Sequence, residues 1–115
     1  MSVDQFKALR RFLTKLTNEN LWIYILRLLQ EGPKYGYEIR ATIKKRFGFN
    51  PPTLASHVIL YKMSKDGLVE AKKGGTEGKE KPEMKHYVIT KDGERAMQAA
   101  KTMLTKLFRN AFDLT

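Results

Sequence analysis

The chain has 115 residues, a length that fits one domain with a single hydrophobic core. Its net charge of +10 favours a polyanionic partner, and its 42% hydrophobic content is typical of a globular protein. The absence of cysteine excludes disulfides, thiolate catalysis and zinc fingers. The longest apolar run, Leu21–Leu26, is too short to span a bilayer, and the N-terminus lacks a signal-peptide pattern. We therefore expect a cytoplasmic protein without a membrane partner.

The first predicted element, at residues 2–17, is an amphipathic helix. Its apolar side chains recur at steps of three and four along one stripe, at Phe6, Leu9, Leu13 and Leu16. The other face is basic, with Lys7, Arg10, Arg11 and Lys15. That face is either a solvated surface or a second surface that contacts phosphate groups.

A second helix is predicted at Leu21–Gln30, with Asn18 or Asn20 as its N-terminal cap. The segment is too apolar for a surface helix, so we place it at the centre of the core. Trp22 is interpreted as a core residue. The alternative is that Trp22 stacks on a planar effector molecule near the terminal helices.

A third helix is predicted at Lys34–Gly48, because every fourth residue forms a buried stripe at Tyr35, Ile39, Ile43 and Phe47. Its other sides are basic and carry Arg40, Lys44, Lys45 and Arg46. The short turn at 48–50 is typical of a helix-turn-helix, in which this helix would cross the DNA backbone.

The fourth helix, at about 51–66, is predicted to be the recognition helix. Asn50 is expected to cap it, Pro51 to occupy its first position and Gly67 to end it. No acidic residue lies between Asn50 and Asp66. A helix without carboxylates, followed by a basic hairpin, is typical of a winged helix-turn-helix that binds DNA.

Two wing strands are predicted next, at Leu68–Lys73 and Met84–Thr90, with Tyr87 and Ile89 pointing inward. The segment between them, Gly74–Glu83, is expected to be a mobile wing tip. The basic wing at 72–85 would lie on the DNA backbone or in the minor groove.

The last helix is predicted to begin after Thr90, which caps it. Its apolar residues recur at heptad spacing, at Met97, Ala100, Leu104, Leu107, Ala111 and Leu114. Such a helix is longer than the core of this domain needs. The seam packs either on the N-terminal helix of the same chain or, as we favour, on the terminal helices of a second chain.

Three stretches resemble the PadR-like family of transcriptional regulators. They are ILRLLQEGPKYGYEI at Ile25–Ile39, DGLVEAKK at Asp66–Lys73 and HYVITKDG at His86–Gly93. The resemblance covers about Leu21–Met97. It implies a winged-helix regulator that dimerises through its terminal helices.

One departure from the family lies in the recognition helix, where the family shows Thr-Leu-Tyr and this chain has Thr53-Leu54-Ala55. Counting back from Gly67 instead places His57 where the family has tyrosine. We favour this second register, because a helix joined to a strand through Gly67 fixes its phase from that end. In it the core-facing residues are Ser56, Ile59, Leu60 and Met63, and the outward residues are Thr53, His57, Tyr61 and Lys65.

The sequence therefore predicts a mainly α fold with a small β-hairpin, a winged helix-turn-helix with extra terminal helices for dimerisation. We expect one domain at 1–115, made of an N-terminal helix at 1–17, a winged-helix core at 20–90 and a C-terminal dimerisation helix at 91–115. The expected function is sequence-specific binding of double-stranded DNA by a homodimeric regulator, as a repressor.

Two other functions stay open at this point. A protein-interaction module is one, because Leu54, Val58 and Tyr61 on the recognition helix are apolar. A regulator that senses a small-molecule effector near Trp22 and the dimer helices is the other. The sequence does not identify such an effector.

The candidate site residues fall into two groups. Those expected to contact DNA are Lys34, Arg40, Lys44, Lys45, Thr53, Ser56, His57, Tyr61, Lys62, Lys65, Lys72, Lys73, Lys79, Lys81 and Lys85. Those expected at the dimer interface are Phe6, Leu9, Leu13, Leu16, Met97, Ala100, Leu104, Leu107, Phe108 and Ala111. The two histidines and the carboxylates form no cluster at metal spacing, so we expect no metal, no cofactor and no enzymatic activity.

Overall fold

The computed structural model describes residues 5–72 and 84–114. Along these ranges the elements are α1 (Lys7–Leu16), α2 (Leu21–Leu29), β1 (Lys34–Tyr35), α3 (Gly36–Phe47), α4 (Thr53–Lys65), β2 (Val69–Lys72), β3 (His86–Ile89) and α5 (Lys91–Ala111). The strands form an antiparallel sheet in the order β1-β3-β2. The predicted mainly helical winged fold is confirmed, with one strand more than the sequence indicated.

Helix α2 lies at the centre of the core, as its apolar sequence predicts. Leu26 and Leu28 are completely buried, and Ile25 is nearly so. The helix contacts α3, α4, α5 and β3. Trp22 is half-buried against this core, in agreement with its interpretation as a core residue. Asn20 occupies the cap position, but its side chain makes no capping hydrogen bond and instead donates to the carbonyl of Lys15.

Helix α3 begins two residues later than predicted, because 34–35 pair with β3 as a short strand. Tyr35 lies opposite His86 in this ladder and therefore belongs to the sheet, not to the helical stripe. Its backbone N–H donates to the carboxylate of Glu38 at 2.9 Å. Ile39 and Ile43 are buried as expected.

Helix α4 begins at Thr53, so the prediction of Asn50 as its cap and Pro51 as its first residue was wrong. The residue before the helix is Pro52, which is extended at φ −61° and ψ 140°. A residue that precedes proline is disfavoured in the helical conformation. Asn50 and Pro51 both precede prolines, so neither starts the helix.

The C-terminal end of α4 is the one that the sequence predicts. Gly67 is left-handed at φ 79°, a conformation that glycine adopts at little cost. The N–H groups of Gly67 and Leu68 donate to the carbonyls of Ser64 and Met63 at 3.2 and 2.9 Å. This Schellman pattern turns the chain directly into the wing.

The wing strands β2 and β3 pair from Val69 opposite Ile89 to Lys72 opposite His86. Tyr87 is buried and Ile89 packs against the core, so both point inward as predicted. The expected wing tip, Gly74–Glu83, lies outside the described residues.

Thr90 joins the wing to α5 and caps the helix, as predicted. Its hydroxyl oxygen accepts from the N–H of Gly93 at 3.0 Å, and its O–H donates to the carbonyl of Gly67 at 2.6 Å. Gly93 is buried, and an added Cβ would lie 2.3 Å from the carbonyl oxygen of Leu68 and 2.7 Å from Cγ1 of Ile89. Helix α5 therefore starts in direct contact with the end of α4 and the base of the wing.

The terminal helices extend beyond this body. The radius of gyration is 15.7 Å, against roughly 13 Å for a compact domain of this length. Helix α1 has no buried residue, and Gly93 is the one buried residue of α5. The rings of Phe12 and Phe108 meet edge to face, with centroids 6.2 Å apart. Within the described ranges, no helix has the length and apolar content needed to cross a membrane.

An ion pair connects the C-terminal ends of α2 and α3. Nη1 of Arg46 lies 2.7 Å from each carboxylate oxygen of Glu31, and Arg27 approaches the same carboxylate at 3.5 Å. The hydrogen bond from Arg46 lowers the pKa of Glu31 from its ordinary value of 4.5. The pair is exposed, so its contribution to stability is modest.

We expect Gly93→Ala to lower the free energy of unfolding by about 3 kcal/mol, because the new methyl group collides with the backbone at Leu68. An unhindered glycine inside a helix would instead gain about 1 kcal/mol from alanine. Urea denaturation followed by circular dichroism measures the change. Gln98→Ala, exposed on the same helix, is the control and should change stability by less than about 0.5 kcal/mol. An increase in stability for Gly93→Ala would contradict the packing at this junction.

We expect the fold to lose stability as pH falls below about 4.5, in part through Glu31. The folded pKa of Glu31 is depressed, so its pairing with Arg46 contributes above the unfolded pKa and is lost as pH falls through the folded pKa. Urea midpoints at about pH 6 and pH 3 should therefore differ less for Glu31→Gln than for the wild type. Glu70→Gln, on the exposed side of β2, should keep the wild-type difference. The same difference in all three proteins would rule out the contribution of Glu31.

Candidate nucleic-acid interface

Helix α4 presents one face to the core and the opposite face to solvent. Leu60 and Met63 are buried and Ile59 packs against the core. These are the residues that the register counted from Gly67 places inward. That register is therefore confirmed for the core side of the helix.

The outermost stripe of α4 agrees with the prediction at Tyr61 and Lys65 and differs from it at the other two positions. At about 100° per residue, the positions opposite Leu60 and Met63 are Leu54, Val58, Tyr61 and Lys65. Leu54 is 75% exposed and Tyr61 is 64% exposed. Thr53 and His57, which were predicted for this stripe, lie to one side of it. A rotation of 100° per residue, counted in the sequence from Leu60 and Met63, also places Leu54 and Val58 on the outer stripe.

Two polar residues of α4 are less accessible than the DNA-contact prediction requires. Ser56 is 3% exposed and its O–H donates to the carbonyl of Pro52 at 2.9 Å, so its selection as a contact was wrong. His57 is half-buried, and its Nε2 atom is shielded from solvent. This burial favours a structural role for His57 over the predicted contact with DNA.

A cleft of about 320 Å³ separates α3 from the start of α4. Tyr37, Arg40 and Lys44 line it from α3, and residues 50–53 line it from the other side. Arg40 reaches across and donates to the hydroxyl of Thr53. Guanidinium, ammonium and hydroxyl groups that converge in this way suit an anionic phosphate oxygen. Tyr37 was not among the predicted DNA contacts, although its spacing of three and seven residues from Arg40 and Lys44 places all three on one side of α3.

The surface around α3 and α4 is positively charged. Between Glu38 and Asp66 the chain has no acidic residue, while it carries Arg40, Lys44, Lys45, Arg46, Lys62 and Lys65. Arg46 pairs with Glu31 and is held at the far end of α3. Nζ of Lys65 lies 5.5 Å from the centroid of the Tyr61 ring, so this cation and this ring lie together on the outer stripe.

Aromatic rings at the base of the wing contact aromatic rings at the start of α3. Tyr35 lies 3.8 Å from His86 between ring centroids, and it stacks on Tyr37 at 5.4 Å. Three predicted DNA contacts, Lys34, Lys72 and Lys85, lie on or next to the strands at this base. Lys73, Lys79 and Lys81 fall outside the described residues.

The residues selected for the dimer interface lie along α1 and α5. Phe6, Leu9 and Leu13 are between 38% and 46% exposed, and Leu107 is 58% exposed. Further large apolar side chains of the same two helices are also exposed, at Phe12, Met103 and Phe112. The half-buried members of the set are Leu16, Met97, Ala100, Leu104 and Phe108, and Ala111 is exposed.

A cavity of about 470 Å³ lies between α2 and α5. The described residues that line it include Ile23, Arg27 and Met97 but not Trp22. This cavity therefore does not support the hypothesis of an effector beside the Trp22 ring. Among residues 5–72 and 84–114, no group of three or more histidine or acidic side chains is close enough to hold a metal ion.

The sequence matches the family model described as "Transcriptional regulator PadR-like family" over residues 25–99, which is more than half of the chain. No curated protein matches it.

Solved structures share this fold. The chain is similar to a PadR family transcriptional regulator from Eggerthella lenta, with a TM-score of 0.76 and 18% identity over 98% of this chain and 96% of that one. A PadR-like transcriptional regulator from Bacillus cereus superposes with a TM-score of 0.67 and 22% identity, over 89% of this chain and 95% of that one. Bacillus subtilis PadR in complex with operator DNA gives a TM-score of 0.59 and 23% identity, over 78% of this chain and 58% of that one.

Proposed function

Because the chain belongs to the PadR-like family of transcriptional regulators, we propose that it binds double-stranded DNA in a sequence-specific manner as a homodimer and represses transcription. In this proposal α4 enters the major groove and α3 crosses the phosphate backbone. The wing lies on the backbone or in the minor groove. The solved complex of Bacillus subtilis PadR with operator DNA supports this assignment by similarity of fold.

The observation that carries the proposal is the basic surface formed by α3 and α4. The exposed helix α4 belongs to a stretch, residues 39–65, that has no carboxylate. Both α3 and α4 carry lysine or arginine side chains within this stretch. Phosphate contacts from lysine and arginine supply affinity, while groups that reach base edges supply sequence preference. Because residues 39–65 include no carboxylate, no side chain of this stretch repels the phosphate groups of a DNA backbone.

The proposed contacts divide by location. Arg40, Lys44 and Lys45 of α3 would hold backbone phosphates, with Tyr37 and Thr53 at the cleft beside them. Tyr61, Lys62 and Lys65 of α4 would lie in or at the rim of the major groove. Lys34, Lys72 and Lys85 would contact the backbone from the base of the wing.

The proposed homodimer is supported by the exposure of apolar side chains on α1 and α5. A monomer rarely leaves a continuous apolar strip of this kind in water. Leu104 and Leu107 lie on the heptad seam of α5, and their burial against the terminal helices of a second copy would remove that strip from solvent. A two-fold dimer also places two recognition helices on one DNA duplex.

We expect duplex binding to weaken steeply with salt. If each subunit neutralises about three to five phosphates, log affinity should fall against log salt with a slope of about −5 to −9 for the dimer. Lys44→Ala should reduce the steepness by about 2 per dimer, one phosphate per subunit. Lys106→Ala removes the same charge from α5 and should leave the slope unchanged. Fluorescence anisotropy across a salt series measures all three, and a flat response of the wild type would refute phosphate-based binding.

We expect the protein to be a dimer at micromolar concentration, with twice the chain mass of 13.3 kDa by light scattering. Leu104→Glu with Leu107→Glu should give monomers or unfolded chain, because a carboxylate in an apolar seam has no partner. Thr102→Glu adds a charge on the opposite face of α5 and should leave the dimer intact. A wild-type mass of 13.3 kDa would overturn the proposed homodimer.

A further inference from the structure

The solvent-facing stripe of α4 ends at Lys65, but its first three residues have aliphatic or aromatic side chains where a DNA-reading helix would be expected to be polar. Leu54 is 75% exposed, Val58 is 44% exposed and Tyr61 is 64% exposed. The three lie opposite the buried residues of the helix, at steps of four and three. Exposed apolar side chains that form a contiguous stripe mark a contact surface more often than isolated ones do.

The surroundings of this stripe restrict what can cover it. Lys62 and Lys65 stand on the same helix, and Glu19, the acid across the groove from Leu54 and Val58, is paired with Lys15. An apolar strip with cations on its borders suits an apolar group presented by a polyanion. In the major groove of DNA, the apolar group on the base edges is the C5 methyl of thymine.

The spacing along the helix suits base steps. Leu54 and Val58 are four residues apart, which is about 6 Å along the axis. Successive base pairs are about 3.4 Å apart, so this distance corresponds to roughly two steps. Leu54 also lies in the first turn of α4, the part of a recognition helix that contacts base edges in helix-turn-helix proteins.

We propose that Leu54 and Val58 determine sequence preference by packing on thymine methyl groups in the major groove, so that the chain selects sites with thymine at those positions. This inference rests on the proposed function and names the base feature that α4 reads. Ser56 is buried and the Nε2 atom of His57 is shielded from solvent, so these two polar groups of α4 do not reach a base edge.

One neighbouring feature is compatible with a different occupant. Leu54 and Val58 border a groove of about 370 Å³ whose other wall includes Asn18 and Glu19. An apolar side chain from a protein partner would fit such a groove. The carboxylate of Glu19 pairs with Lys15 at 2.6 Å, and the positive border on the α4 side favours DNA over an uncharged protein surface.

Replacement of thymine by uracil tests the proposal, because uracil lacks the C5 methyl and keeps every hydrogen-bonding group of thymine. The probe is the duplex that the wild-type protein selects from a random library, made once with dT and once with dU. We expect the dU duplex to bind more weakly, by about fourfold for each methyl group that the helix contacts.

The variants identify the side chains responsible. Leu54→Ala and Val58→Ala should each weaken binding to the dT duplex and reduce the ratio of the two dissociation constants. Thr102→Ala, which truncates an exposed side chain on the face of α5 opposite the heptad seam, is the control and should keep the wild-type ratio. Lys65→Ala removes a cation from the same helix and should weaken both duplexes alike.

The outcomes separate this inference from the proposed function. Equal binding of dT and dU duplexes by the wild type would overturn methyl recognition while leaving DNA binding intact. An unchanged ratio in both Leu54→Ala and Val58→Ala would overturn the assignment to these residues. Failure of the wild type to bind any duplex would overturn the proposed function, and the inference with it.

Discussion

The arrangement of the molecule depends on the hydroxyl group of Thr90. It accepts from the N–H of Gly93 and donates to the carbonyl of Gly67, so one side chain connects the end of α4, the wing and the start of α5. The missing side chain at Gly93 lets the backbone of α5 approach the carbonyl of Leu68. Helix α4, the wing and α5 therefore keep a fixed relation, which the proposed dimer would need if its two copies of α4 are to meet two grooves at a defined separation.

Features set by short-range chemistry could be predicted from the sequence. The glycine after α4, the threonine cap of α5 and the apolar run of α2 each have a local physical cause, and each is found as expected. The core side of α4 followed from its junction with the wing, because Gly67 fixes the phase of the helix. These elements carry most of the fold.

The features that could not be predicted from the sequence depend on contacts between distant segments or on local preferences that compete with each other. Strand β1 has two residues, and it exists because Tyr35 meets His86 some fifty positions further along the chain. Asn50 has good capping chemistry, but the two prolines after it override that preference. The candidate site was harder still: Tyr37 belongs to it through a cleft that only the packing of α3 against 50–53 creates. Whether the apolar strip on α1 and α5 meets a second chain is a property of two molecules, and periodicity in one sequence cannot decide it.

The pair Pro51–Pro52 has a consequence for the thermodynamics of recognition. Both pyrrolidine rings lock their own φ angle, and Pro51 is buried, so the turn between α3 and α4 has few conformations to lose. Such a turn limits the freedom of the unfolded chain as well as that of the folded one. A helix that starts from this turn has less conformational freedom to lose when a ligand binds. Less conformational entropy is then lost on association, and a larger share of the contact energy appears as affinity.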